Sequence, residues 1–201
     1  MSQAYSAMLT GRRALIAGNA PEICSETARL FKQHGARVAE LRLDGRLETN
    51  IQTAVAECGS FDILVVVPGF EIVDPNLTDE NGCLYNAIET DILAAVSCIQ
   101  TVLPKMLNGG RGEIVALAPE PGSLPIDRKA AAAALSGAFG ALCRNLTMDY
   151  AMYQVRANRV LTPFEPSAAK EAANAALWAA CDLSRFVLGE TITLRTSERQ
   201  A

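Results

Sequence analysis

The residues best placed to do chemistry stand near the start of the chain. A short apolar run, 13–17 (RALIA), meets the turn Gly18-Asn19-Ala20-Pro21, and a helical pattern follows. A strand, a glycine turn and a helix N-terminus in that order can hold a pyrophosphate, because glycine lets the backbone approach and the helix end favours negative charge. Here Glu22 puts a carboxylate where the phosphate would sit, and Cys24 adds a side chain where backbone should approach. Other chemistries find less support. His34 is the single histidine and ends a helical stretch, so a Ser-His-Asp or Cys-His site has one possible base with no nucleophile placed beside it. The six cysteines, Cys24, Cys58, Cys83, Cys98, Cys143 and Cys181, show no C-x-x-C spacing. They read as reduced, buried thiols, and no metal site is expected.

These residues must be positioned by elements that alternate from strand to helix, the pattern of an α/β fold with a parallel sheet. Strands are predicted at 13–17, 36–43, 61–67, 112–117, 155–161 and 190–195. Helices are predicted at 22–33, 47–57, 81–107, 129–152 and 166–181. Pro21 and Gly35 bracket the first helix as start and stop signals. The run 61–67 (FDILVVV) is apolar throughout, as suits a strand covered on both faces. A length of 201 residues fits one domain, 1–201. The net charge of −4, with Lys and Arg dispersed, argues against a nucleic-acid surface. Apolar runs such as 63–67 are too short for a bilayer span, and residues 1–10 lack a signal peptide's pattern. A cytoplasmic protein without membrane contact is expected.

Read in order, these pieces resemble the short-chain dehydrogenases/reductases. The family's T-G-x-x-x-G-x-G falls on Ala17-Gly18-Asn19-Ala20-Pro21-Glu22-Ile23-Cys24, and its N-N-A-G on Val66-Val67-Pro68-Gly69. Thr90-Asp91-Ile92 through Leu103-Pro104-Lys105-Met106 resembles the family's long helix. Gly112-Glu113-Ile114-Val115 resembles the strand before the catalytic serine, and Gly189-Glu190-Thr191-Ile192-Thr193-Leu194 the last strand. The resemblance implies a Rossmann-like doubly wound parallel sheet. The passage from Asp44 to the 47–57 helix leaves no room for the usual helix and third strand. The passage from Pro163 to Pro166 leaves no substrate-covering loop.

The resemblance also implies where the family's chemistry should stand. Counting back from Ala141-Leu142-Cys143-Arg144, the tyrosine falls on Ala132 and the lysine on Ser136; the serine falls on Pro119 and the asparagine on Asp91. Alanine and proline side chains cannot move protons, and no tyrosine lies between Tyr85 and Tyr150. With Gly18 the remaining motif glycine, this chain is expected to bind no cofactor. Arg42 could contact an NADP-type phosphate, but nothing cradles the rest of the molecule. The isolated chain is therefore expected not to be an enzyme. Its expected role is that of a non-catalytic structural or regulatory subunit, paired with a catalytically complete paralogue that carries NAD, in a hetero-oligomer such as a heterotetramer. Mixed pairs of this kind resemble a hydroxyacyl-CoA dehydrogenase of anaerobic aromatic degradation. Ala133, Ala134, Gly137 and Ala138 are small enough to let a second helix approach and are the interface candidates, although some of them must face the chain's own sheet. Two other readings stay open: a ligand sensor in the old cleft, and an enzyme whose chemistry has moved to Asp91 or Glu120.

Overall fold

The apolar runs become the strands of one sheet. A computed structural model of the chain describes residues 7–43, 52–54, 59–69, 85, 88–120, 129–163 and 166–194. The strands are β1 (Arg13–Gly18), β2 (Arg37–Leu41), β3 (Ile63–Val67), β4 (Gly112–Pro119), β5 (Val155–Thr162) and β6 (Thr191–Thr193). All pairs are parallel, in the order β2-β1-β3-β4-β5-β6. The chain builds outward from β1 to β2, then crosses back to place β3 on β1's other side. That reversal opens a crevice at the carboxyl ends of β1 and β3, where doubly wound sheets bind ligands. Among the described residues β2 lies at the sheet's edge.

Helices cover both faces, which is why β3 and β4 are buried from end to end. On one face α1 (Pro21–Gln33) and α4 (Ala169–Ala180) pack together. Ile23, Ala28 and Phe31 of α1 share a core with Ala172, Ala176 and Leu177 of α4 and with Ile16, Val65 and Leu117 of the sheet. On the other face lie α2 (Ala94–Gly109) and α3 (Lys129–Tyr150), whose Cys98, Val102, Phe139 and Cys143 meet Leu15, Leu64 and Val66. Alternate residues of β1 thus serve opposite cores, as the period of two requires.

The boundaries depart from expectation in ways with local causes. The long helix predicted at 81–107 runs to Gly109, where Gly110 takes a left-handed φ of 65° and its N–H caps the helix end. Its first described turn, Ile88–Leu93, is π-helical. Residues 81–84 and 86–87 lie outside the described residues, as does most of the helix expected at 47–57, of which 52–54 are helical. The segment 88–109 has the length and apolarity to cross a membrane by those criteria, contrary to the expectation that no stretch would. Its buried stripe of Ala95, Cys98, Ile99, Val102 and Met106 is spent on this chain's own sheet.

Candidate functional site

The crevice is built from the ends of three strands. β1 ends at Gly18, which stands level with Val67 of β3, and the Asn19 N–H donates to the Val67 carbonyl at 2.9 Å. A Cβ on Gly18 would lie 2.5 Å from the Val67 oxygen and 2.6 Å from Cys24 Sγ, so only glycine fits. The space over Gly18 is filled by the Cys24 thiol. Burial pushes that thiol's pKa up to about 11, so at neutral pH it packs as a protonated, unreactive group. Glu22 is exposed in the first turn of α1, whose N-terminus has no side-chain cap. Its carboxylate therefore takes up the positive end of the helix dipole itself. Arg42 is exposed just beyond β2.

β3 leaves the sheet through Pro68 and Gly69. The Gly69 N–H donates to Asp91 Oδ1 at 3.0 Å. Asp91 is buried within the π turn that opens α2, so its side chain ties the end of β3 to that turn. Such single-turn π segments often re-aim a side chain at a functional site. The reading of 90–106 as an unbroken α-helix missed this, because hydrophobic spacing does not report a one-residue bulge.

β4 ends at Pro119, level with Thr162 of β5, and the Glu120 N–H donates to the Thr162 carbonyl at 2.9 Å. On α3, Ala132, Leu135, Ser136 and Phe139 are buried. Arg159 reaches Ser136 from β5. Its Nη1 donates to the Ser136 carbonyl and lies 3.3 Å from Ser136 Oγ, while Nη2 donates to Thr191 Oγ1 at 3.0 Å. Gly140, one turn further on, makes room, since a Cβ there would stand 2.7 Å from Arg159 Cζ. Ala133, Ala134, Gly137 and Ala138 are all exposed, and a Cβ on Gly137 would meet nothing within 4 Å. The expectation that some of these small residues must face the chain's own sheet is overturned, since all four are exposed.

Among the described residues no group of three or more His, Cys, Asp or Glu could hold a metal. Cys98 and Cys143 are buried with thiols pushed up to about 12, like Cys24 too high to react; Cys58 and Cys83 lie outside the described residues. His34 closes α1, where its N–H donates to the Leu30 carbonyl at 3.0 Å.

The sequence reading missed the opposite end of the sheet. Glu113 of β4 and Arg156 of β5 are neighbours in register, both buried, with Nε and Oε2 2.5 Å apart. Arg156 also donates to the carbonyls of Ser184 at 2.7 Å, Ala179 at 3.0 Å and Cys181 at 3.1 Å. One guanidinium thus satisfies the orphan carbonyls at the end of α4 and complements its dipole. Burial raises the Glu113 carboxyl to about 7, although Arg156, Arg12 and Arg111 all pull it down. A signal was available: opposite charges stand second in two successive strands, and β4 is otherwise apolar.

A family model described as short chain dehydrogenase matches residues 3–177. Oxidoreductase UcpA of Salmonella typhimurium is 27% identical over 200 residues, spanning 81% of this chain and 74% of that protein. Among solved structures, a gluconate 5-dehydrogenase from Burkholderia cenocepacia, in complex with NADP and tartrate, aligns with a TM-score of 0.79 at 20% identity, over 99% of this chain and 100% of that one. A carveol dehydrogenase from Mycobacterium avium, in complex with NAD, gives 0.82 at 18% identity, over 94% and 97%. At those identities the two structures bear on the fold alone. The family and the relative overturn the expectation that the isolated chain is not an enzyme, since both are oxidoreductases. That expectation treated a missing side chain at an aligned position as missing chemistry. By its sequence and its fold, this chain belongs to the short-chain dehydrogenase family of oxidoreductases.

Proposed function

We propose that this chain is one subunit of a mixed short-chain dehydrogenase assembly. Its partner is a paralogue that carries NAD and the family's tyrosine and lysine, and the pair acts as the oxidoreductase. The observation that carries this reading is the double character of α3. Its inner face bears Ala132 and Ser136 at the positions expected for that tyrosine and lysine, and both are buried. Its outer face bears Ala133, Ala134, Gly137 and Ala138 in the open, small enough for a second helix to approach closely. The turn after β1 supports the same division of labour. A dinucleotide does not fit it well: the Cys24 thiol fills the space over Gly18, and Glu22 would repel a phosphate at the helix end. By resemblance to the mixed subunits of 2-[hydroxy(phenyl)methyl]succinyl-CoA dehydrogenase, the substrate class assigned to the pair is a hydroxyacyl-CoA, and the compartment the cytoplasm.

Native mass spectrometry of the protein purified from its own host tests the reading. The expected result is a complex containing a dehydrogenase paralogue in fixed stoichiometry, whose NAD affinity follows the paralogue. Titrated alone, this chain should bind NAD or NADP no tighter than about 100 μM, roughly −5.5 kcal/mol. A homo-oligomer that binds either nucleotide more tightly overturns the proposal.

A further inference from the structure

A cavity of about 540 Å³ opens at the amino ends of β4 and β5, at the opposite end of the sheet from the β1/β3 crevice. We propose that it is a binding site for a small organic carboxylate with an apolar body. The volume lies within the range usual for small-molecule sites. Its lining is part charged and part apolar. Arg111, Arg156 and Arg185 face Glu113 and Asp182, so three arginines against two carboxylates leave one positive charge. The lining also includes Phe186 and Leu188, 74% and 50% exposed, which is unusual for side chains of that size.

The arginines differ in what they can still bind. Arg156 is committed to Glu113 and to the carbonyls at the end of α4. Arg111 and Arg12 both lean on one oxygen of Asp182, the latter at 3.9 Å. Behind them, Nε and Nη2 of Arg12 are shielded from solvent and have no hydrogen-bond partner among the described residues. The Arg185 side chain is exposed and has none either. Among the lining arginines, the exposed Arg185 guanidinium is the one left open to an acceptor in the cavity. One positive charge suits a monoanion; a phosphate dianion would meet repulsion from Glu113 and Asp182. A carboxylate can take a planar guanidinium bidentately while its body lies on Phe186 and Leu188.

The groups facing Glu113 are Arg156 from β5, Arg12 from the segment before β1 and Arg111 from the turn before β4; Asp182 and Arg185 follow α4 along the same wall. Burial holds the Glu113 carboxyl at about 7, so protonation below that pH removes a negative charge from the site. A bound carboxylate should therefore bind more tightly as pH falls through 7. This site does not depend on the proposed subunit role, because it lies outside the crevice.

The test is calorimetric titration of the full chain with benzoate, with benzyl alcohol and with inorganic phosphate. Benzoate should bind with a Kd tighter than about 1 mM, and the other two more weakly. Arg185→Ala and Phe186→Ala should each weaken benzoate about tenfold while leaving the melting of the unliganded chain unchanged. Both residues are exposed, so neither variant threatens the fold. Absence of benzoate binding, equal binding of phosphate, or indifference to both substitutions overturns the proposal. So does sedimentation showing a self-association that Phe186→Ala abolishes, since the apolar wall would then belong to a second copy.

Discussion

At the carboxyl ends of β1, β3 and β4 the backbone turns through Gly18, Pro68, Gly69 and Pro119, with the Cys24 thiol packed over Gly18 and Asp91 accepting from the Gly69 N–H. At the amino ends of β4 and β5 a guanidinium and a carboxylate are buried together, and one arginine gathers the end of the last helix. The first end is shaped by close backbone approach, and its sensitivity is steric. The second is shaped by charge taken out of water, and its sensitivity is electrostatic. A site needs both kinds of construction, but here they stand at opposite ends of the same sheet.

The comparison breaks most sharply at Arg156. Arg156→Met leaves Glu113 buried without its partner and frees the carbonyls of Ala179 and Cys181. Removing one member of a buried pair costs about 3–5 kcal/mol, which urea unfolding should record as a lower midpoint. Adding Glu113→Met should recover much of that loss; a double variant no better than the single would mean the carbonyl contacts matter more than the pair.

At the other end, Gly18→Ala drives a methyl group against the Val67 carbonyl and the Cys24 thiol. Overpacking of this kind costs about 1–3 kcal/mol. Combining it with Cys24→Ala should relieve only part of the loss, because the carbonyl remains. Thermal melting of the single and double variants decides this, and full relief would place the strain on the thiol alone.

Acid sharpens the contrast. Glu113 is raised from the ordinary 4.5 to about 7, so the folded chain holds a proton that the unfolded chain has lost between those values. Its contribution to stability is fully present below about 4.5 and declines as pH rises toward about 7. Glu113→Gln should flatten that part of the stability profile, measured by urea unfolding from pH 5 to 8. An unchanged slope would assign it to other groups.

The smallest effect is expected at Ala134→Leu. The residue is exposed, so the isolated chain should keep its stability within about 0.5 kcal/mol. In the proposed assembly the same change should weaken association by about 1–3 kcal/mol, read by sedimentation.

Much of the framework was legible in the sequence because burial and strand period write themselves into residue order. The run at 61–67 reads as a covered strand, and Pro21 and Gly35 marked the ends of α1 by their backbone demands. The Gly18 turn was legible for the same reason. Less legible was anything that joins distant residues. Glu113 and Arg156 are 43 positions apart and meet only because β4 and β5 pair in a particular register. Arg159 finds Ser136 across the space that Gly140 leaves, a relation no local pattern encodes. Asp91 was picked out for its place in a motif, yet its bond to the Gly69 N–H depends on a π turn that periodicity does not reveal. The inference from aligned side chains to absence of activity failed for a related reason: it read positions one at a time.

The pairing of α1 with α4 carries a consequence for how the chain comes off the ribosome. The apolar stripe of Ile23, Ala28 and Phe31 is finished early, but Ala172, Ala176 and Leu177, which cover it, are made near the end. At about 5–20 residues per second, that stripe waits on the order of ten seconds for its cover. During that interval the nascent chain presents a greasy helix face beside a half-built sheet, the kind of surface that chaperones hold. Slowing translation between residues 33 and 169 should therefore lower the soluble yield more than slowing it after residue 180.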